Sequence, residues 1–557
     1  MNRLVNRRIR LLLAALTLAF GGLLLRATWL QSVRAESLTR LGQTQHREAV
    51  TVPAGRGTLY DRTGLELGLG ERATTVFANP KQIPNPRKAA LAVERTLGLD
   101  ANKLYPMLAD RSHGFVYVER QADPAQALAL KRLKLPGFGF YPEERRNYPQ
   151  RSVGAQVLGY VGTDGNGLSG LELEFDRALT GTAGKETIVK DPGGRVIEVQ
   201  HERPETPGRD VFLTLDHSIQ ANAEEVLRAT VRKWNAKSAS AIVLDPRTGA
   251  VLAMAVQPGY DANRFPDAPR DLQRNRTVTD TYEPGSTFKL VTVAGALSEQ
   301  LVSPSTRFTL PYSLHVADRV VHDAEQRGAV NYSVAQILAH SSNIGAITLA
   351  QMLGRTRLSS WITRFGFGRT TGIDFPGESP GIVLAPEKWS GSTIGNVPIG
   401  QGIAVTPVQM AAAYAAIANR GMWSRPHLVD HVAGGGRPSL YRRRMVSPRI
   451  ASEVMAMLKD VVAEGTGQYA AMPGYQVAGK TGTAQKPDSH GGYATDRYVA
   501  SFVGIVPASR PRFVVLVTVD EPQGAIWGGV VAAPAFQQIA RFDLQYLEVP
   551  PDAPHGY

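Results

Sequence analysis

Ser286-Thr287-Phe288-Lys289 sets a hydroxyl three residues before an amine. It follows Glu283-Pro284-Gly285 and opens an apolar, helix-compatible run to Leu297. Residues three apart share a helix face, so the two side chains are expected within hydrogen-bonding reach. A serine is nucleophilic at neutral pH only beside a base. A lysine serves as that base when burial or a nearby cation lowers its pKa. A helix N-terminus would also favour negative charge developing on the serine oxygen. Of the fourteen lysines, only Lys289 has a serine three positions before it.

Two further elements fit acyl transfer. Ser341-Ser342-Asn343 lies 55 residues after Ser286, between the apolar runs Val334–His340 and Ile344–Leu353. In a turn, Ser341 can relay a proton while Asn343 holds a substrate amide. Lys480-Thr481-Gly482-Thr483 follows 194 residues after Ser286, just before a strand pair. A strand there would offer backbone groups to an extended peptide. Lys480 supplies positive charge, Thr481 and Thr483 can bind a terminal carboxylate, and Gly482 allows close backbone approach. Singly, these are a helix cap, a turn and a strand end. Each is unique in the chain, and they stand in order.

Two other matches carry no chemistry. Gly474 to Thr481 fits the P-loop pattern, but no apolar strand precedes it and Gly482 and Pro487 prevent a helix after it. Gly165 to Gly170 fits G-x-G-x-x-G, yet the following segments read as a hairpin rather than β-α-β alternation.

The elements that must position the motifs read as follows. Ser218–Trp234 is helical by periodicity. Ala241–Leu244 with Val251–Val256, and Val499–Val506 with Phe513–Val519, are strand pairs around tight turns and therefore antiparallel. Between them lies a mainly helical stretch, with Thr406-Pro407 starting the helix through Met410–Asn419. Strands, then helices, then strands make an α+β layered fold with a mostly antiparallel sheet. Upstream, residues 31–205 read as a tether and strand-rich platform. It carries a helix near Pro124–Leu133 and a hairpin turning at Pro192–Gly194 between Glu186–Val189 and Val196–Val199. Residues 206–546 hold the motifs. From 547 to 557 the chain reads as a loose tail.

At the amino terminus, Arg3, Arg7, Arg8 and Arg10 precede an apolar run. Leu11 to Leu30 spans 20 residues, about 30 Å as a helix, the hydrocarbon thickness. Arg26 can snorkel and Trp29 can sit at the far interface. The arginines put residues 1–10 in the cytoplasm. A cleaved signal peptide ending near Val33-Arg34-Ala35 is the alternative. Either way the rest of the chain is exported, so the net charge of +13 is not expected to serve nucleic acid. Hydrophobic residues are 43% and charged residues 20% of the 557, which excludes a disordered chain. With no cysteine, disulfides, thiolate nucleophiles and Cys-ligated zinc are excluded.

The three motifs resemble those of the penicillin-recognising serine enzymes, S-x-x-K, S-x-N and K-[ST]-G. Arg56-Gly57-Thr58-Leu59-Tyr60-Asp61-Arg62-Thr63-Gly64, Arg146-Asn147-Tyr148-Pro149 and Gly167-Leu168-Ser169-Gly170-Leu171-Glu172 look like pedestal motifs of class B penicillin-binding proteins. Gly400 to Pro407 is similar to a stretch of their transpeptidase domain. The resemblance is closest to the division-type enzymes. One departure is Thr481, where many class B members carry serine; the hydroxyl is kept.

The resemblance implies a transpeptidase domain with helices on both faces of its sheet, a pedestal and one membrane helix. It implies that Ser286 attacks the penultimate D-Ala carbonyl of a D-Ala-D-Ala stem. Lys289 takes the serine proton and Ser341 relays one to the leaving D-Ala. Asn343 positions the substrate amide, and Lys480, Thr481, Gly482 and Thr483 receive the terminal carboxylate and peptide. The N–H groups of Ser286 and Thr483 would form an oxyanion hole, worth about 3 kcal/mol per donor. An amine of a neighbouring stem completes the cross-link, and β-lactams trap Ser286. No metal or organic cofactor is implied. The implied partners are peptidoglycan stem peptides, a SEDS-type glycan polymerase and other division proteins, with the catalytic domain in the periplasm.

Three rivals remain at this level. An elongation-type transpeptidase or D,D-carboxypeptidase would carry the same motifs. A class A β-lactamase would need a Glu-x-x-Leu-Asn element, and no asparagine here follows a leucine. A penicillin-binding sensor or scaffold would ordinarily have lost a motif or gained membrane spans.

Overall fold

The computed structural model describes residues 2–32, 34, 47–190, 196–437, 439–488 and 491–553. It divides into two compact units, one of residues 1–55 with 181–208 and one of residues 56–180 with 209–557.

In the smaller unit a continuous helix runs from Asn2 to Ser32, starting earlier than the 11–30 span expected. Its stretch Asn6–Ser32 is long and apolar enough to cross a membrane. Arg26 and Arg34 each stack over the Trp29 ring at 4.8 Å, the cation–π contact suited to an interfacial tryptophan. Arg47–Val52 pairs antiparallel with Gly184–Lys190, which pairs in turn with Val196–Arg203. The hairpin strands are therefore as expected; the turn at Pro192–Gly194, and most of the tether, lie outside the described residues.

In the larger unit the sequence motifs of the platform converge. Glu172 is fully buried and receives Arg56 Nε at 2.8 Å and Arg146 Nε at 2.6 Å. Arg56 also reaches Asp176 at 2.7 Å. A carboxylate with no exposure needs such paired cations. Leu59–Tyr60 pairs in parallel with Val211–Leu213, which pairs antiparallel with Val429–Val432. One sheet thus joins residues before 180 to residues beyond 209.

The segment carrying the chemistry is built on helix α1 (His217–Lys233), strands β1 (Ser238–Leu244) and β2 (Val251–Gln257), and helices α2 (Lys289–Ser298), α3 (Asn343–Arg364), α4 (Pro407–Ala418) and α5 (Pro448–Ala463). Strands β3 (Ala478–Pro487), β4 (Tyr493–Val506) and β5 (Phe513–Asp520) and helix α6 (Ala533–Tyr546) follow. The strand order is β2-β1-β5-β4-β3, antiparallel throughout. Both faces are covered. Ile242, Val503 and Leu516 join the core on one side, and Ala241, Val243, Val515 and Val517 join Ile219, Phe536 and Ile539 on the other. That is why these strands read as apolar runs rather than alternating ones. Thr406 and Gln409 form a reciprocal cap at the start of α4, with Pro407 in its first turn.

Lys480 lies inside strand β3, not at a helix start, which disposes of the P-loop match. Gly170–Glu174 is a helix of only five residues, which disposes of the dinucleotide match. The expected loose tail is a tethered segment as far as it is described. Asp552 accepts the N–H of Gln476 at 2.7 Å and the Ser509 hydroxyl at 2.6 Å, anchors that prolines nearby do not reveal.

Candidate active site

Ser286 sits in a single 3-10 turn, Gly285–Phe288, and Lys289 is the first residue of α2. The expected α-helix therefore begins at the lysine, one turn later than the motif suggested. The turn is locked by its neighbours. Gly285, at φ +55°, donates its N–H to Gly400 O at 3.1 Å. A Cβ on Gly285 would stand 2.8 Å from Thr483 O, and one on Gly400 would stand 2.1 Å from Gly285 O. Only glycines let three backbones meet this closely. Tyr414 of α4 donates its hydroxyl to Thr287 O at 2.8 Å, fixing the turn from below.

Lys289 has no exposed surface. Its amine donates to Ser341 O at 2.5 Å and Asn343 Oδ1 at 2.7 Å, and lies 3.3 Å from Ser341 Oγ. Among the described residues it is not hydrogen-bonded to Ser286, contrary to the expectation from spacing. Burial pushes its pKa down to about 7, with Asp323 pulling the other way.

Ser341 holds φ +58°, the left-handed region that a serine seldom adopts. That conformation turns both its carbonyl and its hydroxyl to the amines: Lys480 Nζ donates to Ser341 Oγ at 2.9 Å. Lys480 is also wholly buried, and its pKa is driven well below the ordinary lysine value, first by burial and then by Lys289.

Sequence reasoning missed Asp323. Its carboxylate accepts from Asn343 N–H at 2.5 Å, Ile344 N–H at 3.1 Å and Ser342 Oγ at 3.0 Å, so it fastens the Ser341–Asn343 loop at the start of α3. It is also ion-paired with Arg327. Asn343 Nδ2 reaches His322 O at 3.0 Å from the same segment. No periodic signal links Asp323 to a helix beginning 20 residues later.

Strand β3 is the edge of the sheet and runs beside the Ser286 turn. A Cβ on Gly482 would stand 2.8 Å from Pro284 O. Thr481 Oγ1 lies 2.8 Å from the hydroxyl of Thr466, a second residue that sequence reasoning missed, and Thr483 Oγ1 accepts the N–H of Gly528 at 3.0 Å. A hydroxyl accepting one bond keeps its own proton to donate. All three motifs thus meet at one place: Ser286 at the strand edge, two buried amines behind it and threonine hydroxyls along it.

The penicillin binding protein transpeptidase domain model matches residues 239–541, and the penicillin-binding protein dimerisation domain model matches residues 51–213. The first covers more than half of the chain. This chain belongs to the penicillin-binding protein transpeptidase family.

The resemblance read from its motifs therefore holds. Among similar penicillin-binding proteins is the peptidoglycan D,D-transpeptidase FtsI of Escherichia coli K12, 33% identical over 561 residues, covering 99% of this chain and 93% of that one. The penicillin-binding protein PbpB of Mycolicibacterium smegmatis is 34% identical over 567 residues, covering 94% and 87%. Penicillin-binding protein 3 from Mycobacterium tuberculosis, solved with aztreonam, superposes with a TM-score of 0.72 at 31% identity, covering 91% of this chain and 99% of that one.

Proposed function

We infer that this protein is a membrane-anchored peptidoglycan D,D-transpeptidase that works through an acyl-enzyme on Ser286. The observation that carries this reading is the pair of buried amines, Lys289 and Lys480, flanking one hydroxyl beside the Ser286 turn and an open strand edge.

The chemistry follows from the donors and acceptors. A neutral lysine has two N–H bonds and one lone pair. The two donors suit Ser341 O and Asn343 Oδ1, which leaves the lone pair of Lys289 for the Ser286 proton. Ser286 Oγ then attacks the penultimate D-Ala carbonyl, and the carbonyl oxygen takes up negative charge toward the N–H groups of Ser286 and Thr483. Collapse breaks the peptide bond, and a proton passed through Ser341 leaves with D-Ala. A stem amine attacks the ester, returns the serine oxygen and completes the cross-link. The stem carboxylate lies among Thr481, Thr483 and Lys480, whose positive charge it stabilises, and Asn343 holds the stem amide.

β-Lactams acylate the same hydroxyl, as aztreonam and ampicillin complexes of a relative suggest. The arginines in the first turns of the Asn2–Ser32 helix favour a cytoplasmic amino terminus and a periplasmic catalytic segment. Septal synthesis with a SEDS-type polymerase and other division proteins is the duty best matched by the division-type motifs.

Labelling of membranes with a fluorescent penicillin tests the chemistry: the wild type labels and Ser286→Ala does not. Equal labelling of both would refute the assignment. Depletion followed by microscopy tests the duty, since filaments mean division, round cells mean elongation, and normal cells mean an accessory copy.

A further inference from the structure

Away from the Ser286 site, arginines crowd a small cavity without an acidic partner. The cavity, about 150 Å³, is lined by Arg369, Arg443, Trp423, Tyr441 and Gln409, among others. Arg364 and Arg425 stand beside it: Arg443 Nη1 donates to Arg364 O at 2.5 Å, and Arg425 stacks over Tyr441 at 5.2 Å. Among the described residues, none of these four arginines is ion-paired. Two carboxylates stand close by without reaching an arginine, and one of them is bonded to Thr371 of the cavity wall. Glu378 accepts from Thr371 and Gly372, and Asp374 accepts the N–H groups of Leu428 and Val429.

A structural role explains part of the cluster. Arg364 Nε serves Met445 O at 2.6 Å, Arg369 Nη2 serves Thr363 O at 2.8 Å, and Arg443 serves Arg364 O, all around the end of α3. Cations are welcome at a helix C-terminus. A guanidinium has five N–H donors, however, and these bonds use one from each. Lysine or glutamine would serve a single carbonyl equally well. Arg443 is half-buried, lies on the Trp423 ring at 4.9 Å, and is held below the ordinary arginine value by burial and by Arg369 and Arg364. Arg364, Arg369 and Arg425 are exposed, but half-buried Arg443 meets Arg369 and Arg364 with no carboxylate between them, and like charges so placed repel until an anion joins them.

We propose that this cavity binds a phosphoryl group through Arg369 and Arg443, at a site separate from Ser286. Guanidinium forks match the paired oxygens of phosphate, and the cavity holds the equivalent of about five waters, enough for one tetrahedral oxyanion. The ligand is a free phosphate compound or the phosphate of a lipid headgroup.

Equilibrium dialysis of the detergent-solubilised full chain against radiolabelled inorganic phosphate, at constant ionic strength balanced with chloride, tests this. The wild type should bind saturably, and Arg369→Gln/Arg443→Gln should bind at least about tenfold more weakly, as expected for lost charge-assisted hydrogen bonds. Fluorescent-penicillin labelling of the double variant reports that it is folded. Should it not fold, Arg369→Gln alone, an exposed side chain, carries the same comparison. Competition by glycerol phosphate or by phosphatidylglycerol in mixed micelles identifies the source. No saturable binding by the wild type, or binding unchanged in the folded variant, overturns the proposal.

Discussion

The Lys480 amine donates to the hydroxyl of Ser341 at 2.9 Å, across 139 residues of chain. The same hydroxyl lies 3.3 Å from Lys289 Nζ. Two buried amines this close repel one another when charged, and burial together with Lys289 holds Lys480 well below the ordinary lysine value. A hydroxyl between them is placed to pass a proton from one side of the site to the other.

The first consequence is a pH profile. Burial lowers Lys289 to about 7, and the base we propose is its neutral form. Acylation by a fluorescent penicillin should therefore fall about tenfold per unit below that value and level off above it. Asp323 raises Lys289, so Asp323→Asn should move the rising limb to lower pH. A limb that stays in place or moves upward would assign the titration to another group.

Removing the shared hydroxyl should be severe for catalysis and mild for folding. Ser341→Ala leaves Lys289 its bonds to the residue 341 carbonyl and Asn343 Oδ1, so the amine stays in place. The relay proposed for this hydroxyl is lost, and acylation should drop roughly 10²- to 10⁴-fold. Stopped-flow acylation alongside thermal denaturation separates the two effects; a large fall in melting temperature with unchanged acylation would contradict the relay.

Close backbone approach gives a steric prediction. A methyl on Gly482 would lie 2.4 Å from Ser501 Oγ, 2.8 Å from Pro284 O and 3.0 Å from Thr287 Cγ2. The serine hydroxyl can rotate away, but the Pro284 carbonyl cannot. Gly482→Ala should thus push β3 from the Ser286 turn, costing about 1–3 kcal/mol of stability and most of the acylation rate. Chemical denaturation and penicillin labelling check it; wild-type labelling would mean that the turn and strand have room to spare.

Far from the chemistry, Glu224 makes stability depend on pH. It accepts Gly154 N–H and Gln220 Nε2, each at 2.8 Å, and burial pushes its carboxyl up to about 7. A carboxyl raised above its unfolded value holds its proton in the native state, so stability falls as pH climbs toward 7 and stays lower above it. Glu224→Gln keeps the acceptor oxygen and cannot ionise. Its melting temperature should exceed that of the wild type at alkaline pH and match it in mild acid. An equal difference at both would remove Glu224 as the titrating group.

Local features were legible because their causes are local. Thr406-Pro407 announced helix α4, and the turn after Leu244 announced an antiparallel pair. The tail was misread because its prolines say nothing about Asp552, whose partners Gln476 and Ser509 lie 76 and 43 residues upstream. Asp323 was invisible for the same reason: a carboxylate that caps a distant loop leaves no periodicity.

By itself the sequence determined which side chains could act, Ser286, Lys289, Ser341, Asn343 and Lys480, and that strands and helices would carry them. It determined these because residue type and the 2.0 and 3.6 residue periods are properties of short stretches. Tertiary structure decided who meets whom. It gave the Lys289 amine to Ser341 and Asn343 rather than to Ser286, left β3 as an open edge, and gathered Arg56 and Arg146 on Glu172. Periodicity reports the face a side chain occupies. Which neighbour that face finds depends on strand order and on loops closed over tens to hundreds of residues.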